Sequence, residues 1–235
     1  MKVVIVGGVA GGASTAARLR RVDENAEIIM FEKGPYVSFA NCGLPYYIGE
    51  VIKDREQLLV VTPETLKDML GVEARPNSEV LSIDRQNKTV MVKDLVSGRE
   101  YQESYDKLVL ATGAVPIVPP LPGVDLPGVF ILHNIPEMDT IESYLKEASP
   151  KRVVVVGGGF IGLEIAENLV ERGLQVSVVE MLNQVMAPVD FELAAMVHHH
   201  LAFHNIGLVL GDGLKSIEQT GIDTGMRVNL ASGKS

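Results

Sequence analysis

Residues 3–19 read VVIVGGVAGGASTAARL, and residues 153–169 read VVVVGGGFIGLEIAENL. Each stretch is a run of four β-branched residues, a glycine-rich turn and a helix-like segment. A second apolar run follows each helix and closes on an acid, at Glu32 and at Glu180. This is the strand–turn–helix–strand pattern of a dinucleotide-binding domain. Because it occurs twice with its acid, the sequence predicts an α/β protein with two Rossmann-like domains.

The glycines explain why such a unit binds a nucleotide. Glycine lets the backbone approach a pyrophosphate, and the free N–H groups of the helix N-terminus attract its charge. The acid accepts hydrogen bonds from ribose hydroxyls. Val9 replaces the middle glycine of the first copy. The motif glycines are Gly7, Gly11 and Gly12 in the first copy and Gly157, Gly159 and Gly162 in the second.

The sequence between and after the repeats indicates how the domains are arranged. Residues 78–101 alternate as a small antiparallel meander does, and residues 105–113 are typical of a buried strand that ends at a glycine turn. Residues 114–128 contain five prolines and predict a stiff connector. We therefore expect domains at 1–118 and 119–235. Residues 190–204 have helical spacing, and we expect the chain to be the N-terminal part of a longer protein, with its C-terminal part missing.

Composition excludes several classes of function. The 235 residues are 46% apolar and carry a formal net charge of −9, which predicts a globular protein without broad nucleic-acid or lipid binding. The single cysteine excludes a disulfide framework and, with no export signal, favours the cytoplasm. No apolar stretch is long enough to cross a membrane. The histidines at 198–200 and 204 lack a zinc motif and predict an ordinary helix face rather than a metal site.

Cys42 lies in SFANCGLPYYIG, residues 38–49, ahead of a short helix predicted to begin at Leu44 and Pro45. A lone cysteine is often a small buried hydrophobe. A thiol before a helix, among polar and flexible neighbours, is also typical of a reactive group. Position alone leaves both interpretations open.

Over its whole length, the chain resembles the FAD-dependent pyridine nucleotide–disulfide oxidoreductases. SFANCGLPYYIG is similar to their single-cysteine branch of coenzyme A-disulfide reductases, NADH-dependent persulfide or polysulfide reductases and NADH oxidases. The resemblance implies a glutathione-reductase-like fold, FAD in the first domain, NADH in the second, Cys42 as the catalytic residue against the flavin, and a homodimer of the full-length protein. The implied FAD contacts are Gly7, Ala10, Gly11, Gly12, Glu32, Lys33, Asn41, Val80, Ala111, Thr112 and Gly113. The implied NADH contacts are Gly157, Gly159, Phe160, Ile161, Gly162, Glu164 and Glu180.

The residues themselves indicate which small molecules bind. Glu180 would repel a 2′-phosphate, and residues 181–184 supply no arginine to hold one, so NADH is favoured over NADPH. Ser14, Arg18 and Arg21 fall on one face of the first helix, a positive stripe that suits phosphates. The resemblance implies that this stripe, with Ser38 and Asn41, contacts coenzyme A. Many relatives carry a basic residue at the position where this chain has Met69-Leu70-Gly71. In this chain Lys67, one helical turn earlier, is the candidate to take its place.

The sequence leaves three functions open. The first is an oxidoreductase that passes electrons from NADH through FAD and Cys42 to coenzyme A disulfide, persulfide or polysulfide. The second is an NADH oxidase or peroxidase that uses a sulfenic acid at Cys42. The third is a nucleotide-binding redox sensor or a catalytically incomplete fragment.

Overall fold

The computed structural model describes residues 1–221 and 225–235. Among them, none of the helices has the length and apolar character that crossing a bilayer requires. The helices are α1 (Ala10–Val22), α2 (Leu44–Ile48), α3 (Pro63–Leu70), α4 (Ile135–Ala148), α5 (Phe160–Glu171) and α6 (Phe191–Phe203). The strands are β1 (Lys2–Val6), β2 (Glu27–Phe31), β3 (Val72–Arg75), β4 (Ser78–Asp84), β5 (Thr89–Asp94), β6 (Glu100–Ser104), β7 (Lys107–Leu110), β8 (Arg152–Val156), β9 (Gln175–Glu180), β10 (Gly207–Leu210), β11 (Leu214–Gln219) and β12 (Met226–Leu230).

The chain divides into two compact units, each of which consists of two separate stretches of sequence. The first unit is Met1–Ala40 with Arg55–Val115, and the second is Asn41–Asp54 with Pro116–Ser235. The segment that carries Cys42 is therefore grouped with the second unit, although it lies between two parts of the first in sequence. The assignment of FAD and NADH to residues 1–118 and 119–235 stays a prediction.

The first unit contains a parallel sheet in the order β3-β2-β1-β7 and an antiparallel meander β4-β5-β6. Side chains alternate between the two faces of a strand, so β1 and β2 each serve two cores. Val3, Ile5 and Met30 pack in a cluster with Ala16 of α1, whereas Val4, Ile29 and Phe31 pack with Val90 and Val92 of β5. The predicted meander is confirmed and extends to Ser104.

The strand predicted across residues 105–113 is wrong in length and in burial. β7 covers only Lys107–Leu110 and, among the described strands, pairs with β1 alone, so it lies at the edge of this sheet. Leu110 is 61% exposed. An apolar run looks the same in sequence whether it lies in the middle of a sheet or at its edge, which explains the error. The structure shows neither helix nor strand at residues 111–134, which include the proline-rich stretch 114–128.

The second unit repeats the first in outline. Its parallel sheet has the order β10-β9-β8, and an antiparallel pair β11-β12 follows. α5 packs on β8 and β9, where Val155, Ala166, Leu169 and Val178 are buried. α6 confirms the helix predicted at residues 190–204. The predicted fold class, two Rossmann-like α/β units, is thus present.

In both units, one glycine brings the helix close to the preceding turn. A Cβ on Gly12 would overlap the carbonyl oxygen of Gly7, and a Cβ on Gly162 would overlap that of Gly157. These obstacles are backbone atoms, which no side-chain rotation can move. The neighbouring Gly11 has room, because the nearest atom to its added Cβ is the Ala111 Cβ at 3.5 Å.

We expect Gly12→Ala to lower the free energy of unfolding by about 1–3 kcal/mol, since helix α1 must move off the turn. Gly11→Ala is the matched control, in the same turn of the same helix, and should be neutral or stabilising. Thermal unfolding followed by circular dichroism measures both. Equal midpoints for the two variants would contradict the close approach of α1 to Gly7.

Candidate functional site

The residues predicted to bind the first nucleotide gather at one edge of the first sheet. Gly7 follows β1, Glu32 follows β2 and Ala111 follows β7, and these three strands are parallel neighbours. Gly7 N donates to Phe31 O at 2.8 Å, and Ala111 N donates to Val6 O at 2.7 Å. Ligands of open α/β sheets bind at this carboxyl edge.

Glu32 links the glycine turn to the loop after β2 through two hydrogen bonds that residue types alone do not reveal. Its Oε2 accepts from Gly8 N at 2.6 Å, and its Oε1 accepts from Gly34 N at 2.7 Å. We call this pair of bonds the carboxylate clamp. Each carboxylate oxygen has two acceptor positions, so the clamp leaves capacity for ribose hydroxyls. The acid therefore holds the glycine turn as well as offering acceptors to a ligand.

The second unit contains the same carboxylate clamp. Glu180 Oε2 accepts from Gly158 N at 2.7 Å, and Glu180 Oε1 accepts from Leu182 N at 2.8 Å. Gly157 N donates to Val179 O at 2.8 Å, as Gly7 N does to Phe31 O. The internal repeat is thus preserved in its hydrogen bonds.

In both units, the loop that follows the clamp acid folds back and donates a backbone hydrogen bond to the glycine turn. Ser38 N donates to Gly8 O at 2.9 Å, and Met186 N donates to Gly158 O at 2.8 Å. Both residues adopt left-handed backbone, with φ of 46° at Ser38 and 53° at Met186. Serine and methionine share no sequence signal, so this correspondence was not predictable from residue types.

The second turn is open at two of its glycines. A Cβ added at Gly157 or Gly159 would meet no atom within 4 Å. Phe160 and Ile161, which begin α5, are 61% and 60% exposed. Open glycine backbone beside a helix N-terminus fits a phosphate group, and Glu180 next to it fits a ribose.

The other residues predicted to contact FAD differ in their surroundings, since some are paired and others are exposed. Lys33 forms an ion pair with Glu79, N to O distance 2.8 Å, on the strand that also carries Val80. Ser78 N donates to Glu32 O at 2.8 Å, which places the start of β4 beside the clamp acid. Ala10 begins α1, and Thr112 and Gly113 are exposed beyond β7.

Cys42 is exposed, so it is not the buried hydrophobe that a lone cysteine often is. It lies in a 3₁₀ turn, Asn41–Gly43, directly before α2, and Pro45 occupies the first turn of that helix as predicted. Asn41 and Cys42 belong to the second unit, while the other predicted FAD residues belong to the first.

The predicted positive stripe is present on α1. Ser14, Arg18 and Arg21 are all exposed, and no hydrogen bond or ion pair links either arginine to another residue in the described ranges. Arg20, between them, differs because its guanidinium donates to the carbonyl oxygens of Leu70 and Ala26 at 2.6 and 2.8 Å. Arg20 therefore supports the fold, and Arg18 and Arg21 are available to a ligand.

Glu164, a predicted NADH contact, and His198, predicted to lie on an ordinary helix face, both take part in hydrogen bonds within the second unit. The carbonyl of Glu164 on α5 accepts from Asn168 Nδ2 at 2.8 Å. His198 Nε2 accepts from Val185 N at 3.2 Å, so this histidine secures the loop after β9. Within the described ranges, no group of three or more His, Cys, Asp or Glu side chains could hold a metal ion.

Known proteins resemble this chain over nearly its full length. A coenzyme A disulfide reductase of Staphylococcus aureus is 35% identical over 233 residues, 99% of this chain and 51% of the relative. The reduced Bacillus anthracis protein CoADR-RHD is 50% identical with a TM-score of 0.94, covering 99% of this chain and 41% of that one. A NAD-dependent persulfide reductase of A. fulgidus is 35% identical with a TM-score of 0.93, covering 100% and 43%.

This chain spans about half the length of the curated relatives that it matches. The family model described as pyridine nucleotide-disulphide oxidoreductase matches residues 1–235. The fold, the two clamped glycine turns and these matches agree, and the chain belongs to the pyridine nucleotide-disulphide oxidoreductase family.

Proposed function

We propose that this chain is the nucleotide-binding part of a flavoprotein reductase that passes electrons from NADH, through FAD and Cys42, to coenzyme A disulfide, persulfide or polysulfide. The exposed Cys42, in a chain with two glycine turns that are each held by a carboxylate clamp, is the observation that carries the proposal. The proposal includes a homodimer of the full-length protein in the cytoplasm, which rests on the resemblance and the lone cysteine.

Each unit would hold its nucleotide through the groups already described. The Gly7–Gly12 turn, Glu32 and Ala111–Gly113 would hold FAD, and the Gly157–Gly162 turn and Glu180 would hold NADH. The flavin, when bound, supplies two-electron transfer between NADH and a disulfide. The chain contributes the binding energy, the orientation and the thiol.

The chemistry at Cys42 follows from its being the one cysteine in these 235 residues. Its thiolate attacks one sulfur of coenzyme A disulfide, a Cys42–coenzyme A disulfide bond forms, and one coenzyme A thiolate leaves with the bonding electrons. Two electrons from NADH then cleave the mixed disulfide and restore the Cys42 thiolate. With one proton from solvent, one NADH and one disulfide yield NAD⁺ and two thiols.

The charge of Glu180 supports NADH as the electron donor. The clamp holds the carboxylate beside the glycine turn, where a 2′-phosphate on the adenosine ribose would face a like charge. The following residues Met181, Leu182, Asn183 and Gln184 provide no cation to neutralise that phosphate.

The free guanidinium groups of Arg18 and Arg21 support coenzyme A as the thiol carrier. Coenzyme A carries several phosphate charges, and arginine pairs with phosphate in a bidentate geometry. Two arginines on one helix face of an acidic protein, with no partner within the described ranges, attract such a ligand locally. Lys67 on α3 is exposed and would add a third cation.

We expect Cys42→Ser in the full-length, flavin-loaded protein to lower disulfide and persulfide reduction at least about 100-fold. Serine cannot form the mixed disulfide, whereas NADH should still bleach the flavin absorbance at the wild-type rate. Stopped-flow absorbance and a steady-state assay with coenzyme A disulfide measure the two steps. A variant that turns over normally would end the proposal, and oxygen consumption that depends on Cys42 without disulfide reduction would favour the oxidase function.

We expect wild-type protein to prefer NADH over NADPH by about tenfold or more in kcat/KM. Glu180→Gln removes the charge while keeping the size and an acceptor, so it should narrow this ratio. Glu32→Gln is the matched control, because Glu32 makes the equivalent two backbone bonds in the first unit. Rates of flavin reduction by the two nucleotides give the ratio, and an equal change in both variants would count against Glu180 as the selecting charge.

We expect Arg18→Ala combined with Arg21→Ala to raise KM for coenzyme A disulfide about tenfold or more, since charge-assisted hydrogen bonds are lost. The rate of oxygen reduction should not change. Arg85→Ala is the control, because Arg85 is another exposed arginine of the first unit, in the β4–β5 turn. A KM that is unchanged by the double substitution would exclude the stripe as the coenzyme A site.

A further inference from the structure

The segment that carries Cys42 is too short to hold its own shape. α2 has five residues, and isolated helices of that length do not persist in water. Its order must therefore come from packing within the second unit. Leu44 and Ile48 are 2% and 0% exposed, and α2 packs against α4 and α5.

Asn168 of α5 and Arg172, the residue that caps this helix, hold the C-terminal end of α2. Gly49 lies so close to Asn168 that an added Cβ would overlap the amide oxygen Oδ1. Asn168 is 3% exposed, and its Nδ2 is fixed by a bond to the Glu164 carbonyl. Arg172, which caps α5, donates from Nη1 to the Ile48 carbonyl at 2.8 Å.

Arg172 is itself held by an almost buried ion pair. Its guanidinium donates to both carboxylate oxygens of Glu142 on α4, and the two side chains are 13% and 10% exposed. Its Nη2 also lies 3.5 Å from Glu50 Oε1, just past the end of α2. Burial alone would raise the pKa of Glu142, but hydrogen bonds from Arg172 and Lys146 lower it below its usual value, so the pair stays charged at neutral pH. One planar guanidinium thus joins α2, α4 and α5.

We propose that Arg172, oriented by Glu142, is a positioning residue for Cys42. It locks the end of α2 onto α5 and so fixes the 3₁₀ turn that presents the thiol. We call residues 41–54 the thiol segment. α5 begins within the Gly157–Gly162 turn and ends next to Arg172, so one helix connects this glycine turn to the residue that holds the thiol segment. This inference rests on the proposed function for the role of Cys42, but the contacts that it invokes do not.

The experiment uses full-length, flavin-loaded protein with Arg172→Met, which keeps much of the side-chain length and removes the donors. Hydrogen–deuterium exchange should rise at least about tenfold in residues 44–52 while α6 and the first unit stay protected. With coenzyme A disulfide, kcat should fall at least about tenfold with little change in KM for NADH, since the glycine turn is untouched. Arg172→Lys should restore part of both effects, because a single ammonium pairs with Glu142 but lacks the fork.

Lys146→Met is the matched control, since Lys146 also pairs with Glu142, at 3.0 Å, but is exposed and, in the part of the chain that the structure describes, donates to no residue of α2. It should leave exchange in residues 44–52 unchanged. Glu142→Gln provides a second variant if Arg172→Met does not fold. It keeps the side-chain size but removes the charge that orients Arg172, and it should raise exchange in residues 44–52.

Unchanged exchange in residues 44–52 of a folded Arg172→Met or Glu142→Gln protein would overturn the inference. Equal loss of protection throughout the second unit would also overturn it, because Arg172 would then serve only general stability. Exchange does not depend on thiol chemistry. Full activity of Cys42→Ser with a loosened segment in Arg172→Met would therefore refute the proposed function and leave the anchoring itself intact.

Discussion

A carboxylate that closes one strand and binds the backbone of the neighbouring glycine turn is the interaction on which both units depend. Glu32 holds Gly8 in this way, and Glu180 holds Gly158. The strands are parallel neighbours, so their carboxyl ends lie side by side and the bond spans adjacent turns. The helix that follows each turn can start only where the turn directs it. The carboxylate clamp therefore fixes the geometry of each glycine turn.

The two copies of this arrangement differ in their neighbours. β1 has β7 on its outer side, so a Cβ at Gly7 would overlap the carbonyl oxygen of Ala111. β8 pairs only with β9 among the described strands, and Gly157 faces open space. The same motif thus produces a turn enclosed by a strand in one unit and an open turn in the other.

The thiol segment shows how contacts remote in sequence organise a short element. Residues 41–54 interrupt the first unit in sequence, but their packing partners Glu142, Asn168 and Arg172 lie on α4 and at the end of α5. A buried ion pair contributes little net stability after its desolvation cost, but it is highly directional. This directionality suits the role that we propose for Arg172, which is to fix the position of α2.

The residue pattern alone determined the two strand–turn–helix–strand units, the meander, α6 and the family, because glycine spacing and apolar periodicity are local signals. The sequence also identified Arg18 and Arg21 as a stripe. It did not reveal that Arg20 donates hydrogen bonds to carbonyl oxygens of α3 and of the loop after α1. The tertiary structure alone decided that β7 is an exposed edge, that the acids clamp the turns, and that Cys42 is exposed on a segment anchored by Arg172. Each of these depends on groups that lie far apart in the chain, and no local pattern of residue types encodes which of them will meet.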